Sequence, residues 1–186
     1  MRRITIKLIV AFCISIVIAI AAGTGIYYTM GSNNSSSTLT IRTIDGIQCN
    51  TMEQAAFHIH AHLDIFINGD HLTVPPQIGI NPDERCLYWL HTHDDSGVIH
   101  IEAPVTRDFT LGNFFDIWGE TFNNTQIFYK KADNSNSLSV YVNGAKVSSD
   151  ADYRDVKLNA HDEIAVVYGP LPASEIPLRY EFQQGL

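Results

Sequence analysis

Phe57-His-Ile-His-Ala-His-Leu-Asp-Ile-Phe-Ile67 is the stretch that sets the architecture. Successive side chains of an extended strand point to opposite faces. Ile59, Ala61, Leu63, Ile65 and Ile67 then form one apolar face, and His58, His60, His62, Asp64 and Phe66 form the other. One face is core and the other is largely imidazole, the pattern of a half-buried β-strand. Asn68-Gly69 follows at once. Asn-Gly between alternating apolar residues signals a hairpin, because both turn residues need positive φ. Leu138-Ser-Val-Tyr-Val-Asn-Gly144 has the same form, so hairpins are expected to turn at 68–69 and 143–144. The match is too short to establish a repeat, since hairpin chemistry alone accounts for it.

One segment breaks the pattern. In Thr110-Leu-Gly-Asn-Phe-Phe-Asp-Ile-Trp-Gly119 the residues Leu111, Phe114, Phe115 and Trp118 follow helical spacing. Thr110 can cap the start and Gly119 can end the helix, and the aromatic stripe reads as core. A last strand is expected over Glu163 to Tyr168, before Gly169-Pro170 and an irregular tail. The fold class is α+β, a mainly antiparallel sheet with hairpins and one packed helix, with a β-grasp-like arrangement as one option.

A second burst, Leu90-His-Thr-His-Asp-Asp-Ser-Gly-Val-Ile-His-Ile-Glu102, contains the turn signal Asp94-Asp95-Ser96-Gly97. With residues 94 and 97 opposed, Leu90 faces Ile101 and Thr92 faces Ile99 on a mostly apolar side. His91 then faces His100, His93 faces Val98 and Trp89 faces Glu102 on the other side. A slip of one residue would send His100 to the wrong face and break the apolar one. The hydrophobic and imidazole patterns therefore choose the same register.

Six of the eight histidines lie in these two bursts. His-x-His on a strand roots two rings about 6.6 Å apart on one side. Both can reach one ion at Zn–N distances of about 2.0–2.1 Å. Three in a row cannot all do so easily. The candidate metal ligands are His58, His60, His62, His91, His93, His100 and Glu102. His71 is a weaker candidate, and His161 reads as an ordinary residue at the start of a strand. Massed imidazoles without an ion would repel one another when protonated and leave donors unsatisfied. A pH-responsive interface is the alternative use for them. Imidazole suits Zn, Cu(II) and Ni. With only three Met and three Cys, a sulfur-rich Cu(I) trap is excluded. The choice between Cu and Zn stays open, with an inclination to copper for a surface protein so rich in imidazole.

The chain of 186 residues suits one anchor and one domain. The first 30 residues hold Arg2, Arg3 and Lys7 and none of the 20 acidic side chains, so the remainder is more acidic than the overall net charge of −8. Such a domain repels phosphate backbones, which makes nucleic acid an unsuitable partner. Leu8 to Ile26 is 19 residues without a charge, close to the roughly 30 Å of a bilayer core. Basic residues before it keep the N-terminus inside. A signal-anchor is expected over 1–30 and a flexible linker over 31–40. An extracytoplasmic domain then spans 41–170, and an irregular tail spans 171–186. A cleaved signal peptide is the rival, because Ala19-Ile20-Ala21 resembles a cleavage site. Cys13 follows bulky Phe12, a poor lipobox. Asn33, Asn34 and Asn123 stand in glycosylation sequons. Cys49 and Cys86 bracket the first histidine burst. Outside the cytoplasm two such thiols usually pair, and thiolate ligation or free thiols are the other readings.

The strings HIHAHLDIFING, CLYWLHTHDDSGVIHIEAP and FTLGNFFDIWG resemble a family of uncharacterised His-rich exported domains of archaea and bacteria over roughly residues 45–170. The resemblance implies a shared metal site and no particular activity. The spacing does not fit a cupin, since the glutamate follows His93 too late. His-x-His on a strand is also similar to α-carbonic anhydrases and copper–zinc superoxide dismutases, but their flanking residues are absent. Three functions compete. One is a membrane-anchored protein that captures or delivers Cu or Zn at the cell surface. Another is a metalloenzyme of hydratase, hydrolase or redox type with Glu102 or Asp94 as base. The last is a structural subunit of a membrane complex, with a protein partner there.

Overall fold

The computed structural model describes residues 42–186. The expected anchor, the linker, Cys13, Asn33 and Asn34 lie outside the described residues. Among the described residues no helix is long and apolar enough to cross a membrane.

The alternating stretch is a single strand, β3 (Phe57–Ile67). It lies at the centre of the main sheet, in the order β13 (Ala145–Lys146), β12 (Leu138–Val142), β14 (Glu163–Tyr168), β3, β8 (Val98–Ala103), β7 (Leu90–His91). Short β4 (Asp70–Leu72) pairs with the far half of β3. All these pairings are antiparallel except β14 with β3, which is parallel. Two hairpin-like pairs thus flank a parallel central pair, and the helix lies in the connection between them. That is the β-grasp-like option, with an additional strand at each edge.

Both Asn-Gly hairpins form where expected. Asn68 and Gly69 have φ of 55° and 92°, and Asn143 and Gly144 have 52° and 77°. These values suit the mirror-image turns that match strand twist. The helix α1 runs Leu111–Trp118. The Thr110 hydroxyl accepts from the Asn113 amide at 3.3 Å, and the Asn113 side chain accepts from the Thr110 amide at 3.1 Å. This reciprocal cap contributes about 1 kcal/mol. Gly119 closes the helix at φ 80°, its N–H donating to the Phe115 carbonyl.

Alternation decides which face of the sheet is core. Ala61, Leu63 and Ile65 of β3, Ile99 and Ile101 of β8 and Ile164 and Val166 of β14 pack into one cluster with Leu111, Phe114 and Phe115 of α1. Complete burial of each large side chain contributes roughly 1.5–3 kcal/mol, so α1 is held by its stripe more than by its cap. The opposite face is divided. At one end Ala165 and Val167 pack with Ile176 from the C-terminal segment. At the other end lie the histidines.

Two smaller sheets stand beside the main one. One has the order β1 (Thr43–Ile44), β2 (Ile47–Asn50), β6 (Cys86–Tyr88), β5 (Ile80–Asn81), and the other joins β9 (Phe122–Asn123), β10 (Gln126–Ile127) and β11 (Lys130–Lys131). Cys49 and Cys86 form a disulfide between β2 and β6. The loop it closes contains all of β3.

Candidate metal centre

Two registers build the site. In the β7–β8 pair Leu90 opposes Ile101 and His91 opposes His100, the register read from the sequence. The expected pairing stops there. Thr92 leaves β8 and is tied to another segment. Its hydroxyl donates to the Pro75 carbonyl at 2.9 Å, and its N–H donates to the Ile78 carbonyl at 3.0 Å. Ile99 and Val98 pair instead with Ala61 and His62 of β3. The same β3–β8 pairing sets His58 opposite Glu102 and His60 opposite His100. His60, His100 and His91 therefore form a row across three adjacent strands, with His58 and Glu102 one step along.

The ring nitrogens converge. His60 Nε2 lies 3.1 Å from both His58 Nε2 and His100 Nδ1, and His91 Nε2 lies 3.2 Å from His93 Nε2. Two nitrogens bound tetrahedrally to one zinc are about 3.3–3.4 Å apart. Without an ion, the single lone pair or proton of His60 Nε2 must serve two neighbours, which a neutral imidazole does poorly. His91 is oriented from behind, its Nδ1–H donating to the Tyr88 carbonyl at 2.9 Å. That contact fixes the tautomer and leaves Nε2 free for a ligand.

Glu102 completes the cluster. Its Oε1 lies 3.2 Å from His58 Nε2 and 3.5 Å from His100 Nδ1. Its Oε2 is buried with no hydrogen-bond partner, and the side chain is 5 % exposed. An orphaned carboxylate oxygen among imidazole lone pairs fits a bound cation. Two overlapping groups could hold a metal ion. One is His58, His60, His100 and Glu102, and the other is His91, His93, His100 and Glu102. His58 and His93 are 45 % and 43 % exposed, so the cluster opens to solvent on their side.

Burial governs the protonation. It holds His60 and His91 down to about 4 and His100 to about 3, with the neighbouring imidazoles adding repulsion. All three are neutral at neutral pH, the form that binds metal. Burial pushes the Glu102 carboxyl up, and nearby Glu53 adds to it.

Of the seven ligand candidates from the sequence, the structure brings six together and separates His62. Its Nε2–H donates to the Ser96 carbonyl at 2.7 Å, and its Nδ1 lies 2.7 Å from Glu163 Oε2. Burial lowers its affinity for protons, but the hydrogen bond and charge of Glu163 outweigh this and raise its pKa. Asp94, the second candidate base, is exposed and shapes the turn instead. Its Oδ1 accepts from the Ser96 N–H at 3.0 Å, and bonding to Ser96 holds its carboxyl low, which makes it a poor base. His71 donates to Asp64 at 2.8 Å, and His161 contacts Leu186 and Phe182. Sequence reading missed Glu53, whose Oε1 lies 3.7 Å from His93 Nε2. It also missed Glu163. An acid at the head of an apolar strand gives no local sign of a partner 101 positions earlier.

No protein family, curated protein or solved structure matches the chain.

Proposed function

We propose that this protein captures and hands on Cu or Zn outside the cytoplasm, with His58, His60, His91, His93, His100 and Glu102 as its ligands. The observation that carries the reading is the convergence of imidazole nitrogens from three strands at 3.1–3.2 Å around a buried carboxylate with one unpartnered oxygen. Six donors exceed what one four-coordinate ion uses. The two groups share His100 and Glu102, so an ion can exchange His91 and His93 for His58 and His60 without leaving the cluster. Such surplus suits a cargo ion better than a catalytic one. Imidazole-rich ligation is borderline in softness and serves Cu(II) and Zn(II) alike. The apolar segment Leu8–Ile26 after Arg2, Arg3 and Lys7 supports a single-pass cell-membrane anchor with the domain outside. The disulfide supports an oxidising compartment. The quoted motifs support a resemblance to the His-rich exported family.

Calorimetric titration of the ion-free protein tests this reading. Zn2+ and Cu2+ should each bind in the micromolar range or tighter. His91→Ala with His93→Ala, like His58→Ala with His60→Ala, leaves one group intact and should weaken the first ion a few-fold, and all four changes together should weaken it by about tenfold or more. An unchanged isotherm with all four changes in place would sink the proposal. Glu102 favours a metalloenzyme as the second reading, because its raised carboxyl could take a proton from water beside an ion. Hydrolytic or hydratase turnover lost in Glu102→Gln, with metal retained, would establish it.

A further inference from the structure

We propose that His62, Asp64 and Glu163 form a second, oxygen-rich site for a divalent cation, separate from the imidazole cluster. The parallel β3–β14 register makes this site. It sets Glu163 beside His62 and Ala165 beside Asp64, so all three ligand candidates share one face of the sheet. One donor atom from each lies within 4.8 Å of the others. The inference does not depend on the cargo reading, because it uses none of the same side chains.

The details point to an ion. His62 Nε2–H donates to the Ser96 carbonyl at 2.7 Å, the outer contact that commonly orients a ligating histidine. Its Nδ1 then faces Glu163 Oε2 at 2.7 Å. The Glu163 side chain is 1 % exposed, and its Oε1 has no hydrogen-bond partner. Asp64, partly exposed, brings a second carboxylate beside the buried His62 and Glu163, so the group opens to solvent on its side. His71 steadies Asp64 from β4 at 2.8 Å. Tyr180 from the C-terminal segment stacks on the His62 ring, with centroids 3.8 Å apart and planes 9° apart. One imidazole with two carboxylates is a harder donor set than the cluster and suits Mn2+, Fe2+ or Zn2+.

Mn2+ is the discriminating probe, because a hard ion prefers two carboxylates and one imidazole to the three imidazoles and one carboxylate of either cluster group. The full chain is titrated with Mn2+, and the free aquo-ion signal is followed by electron paramagnetic resonance. One equivalent should bind. Glu163→Gln and Asp64→Asn should each weaken it at least tenfold while keeping Zn2+ uptake by the cluster. His91→Ala with His100→Ala should lose cluster uptake and keep Mn2+. If Glu163→Gln fails to fold, the more exposed Asp64→Asn decides. No Mn2+ bound at millimolar concentration, or binding equal to wild type in Asp64→Asn, would mean that a shared proton holds the group together.

Discussion

His100 is the residue on which the cluster turns. It faces His91 on one strand and His60 on the other, and it belongs to both possible ligand groups. Its depressed proton affinity can be tested by nitrogen-detected NMR of the ion-free protein. His60 and His91 should protonate near 4 and His100 near 3, whereas His62 should stay charged above 6.5. If His60, His91 and His100 titrated near 6.5, their packing would not be as described. The sign for stability follows from linkage. For the three depressed histidines, the unfolded chain takes up protons near 6.5 that the folded chain refuses until about 4 or below. Their contribution is full above 6.5 and is lost as pH falls through that window. His62 acts oppositely, stabilising at low pH and losing that contribution as pH rises through its raised value. Raised Glu102 and Glu163 also offset the acid loss as they protonate. Three large shifts dominate, so the melting temperature of the ion-free protein should be lower at pH 5 than at pH 7.

Hairpin β7–β8 shows how much an element reveals of itself. Its register was legible because two patterns, apolar and imidazole, agreed within a dozen residues. Its length was not legible. The Thr92 hydroxyl and backbone bond to residues 75–78, and nothing local to Thr92 announces that. The Asn-Gly turns and the capped helix were legible for a similar reason, since their chemistry lies within four residues. The meeting of the two histidine bursts was not, because the β3–β8 register joins positions forty residues apart. The parallel β3–β14 contact that pairs Glu163 with His62 lies further apart still. Gly79 tests how tightly β7 is held. It has φ +74°, and a Cβ there would press on the Leu90 carbonyl and come 3.2 Å from His91 Cβ. Gly79→Ala should lower stability by about 2 kcal/mol or more. It should also weaken metal uptake by shifting His91. Thermal melts matching wild type would refute that packing.

The whole domain holds its site by closing it from several sides. Disulfide Cys49–Cys86 closes a loop with a sequence separation of 37 that contains β3, α1 packs beneath the sheet, and the C-terminal segment covers His62. A loop of that length restricts the unfolded chain by about 3–4 kcal/mol. Cys49→Ser with Cys86→Ser should therefore lower the melting temperature by about 6–16 °C. A shift under about 2 °C would show that the bridge does little. The central claim is that three strands deliver one imidazole–carboxylate cluster to a transition metal. The most direct measurement is elemental analysis of the purified full chain after equilibration with Zn2+ or Cu2+ and removal of free ion, beside the His100→Ala variant. The account predicts at least one tightly held ion per wild-type chain and its loss in His100→Ala. Wild-type protein without metal, or equal metal in the variant, would contradict it.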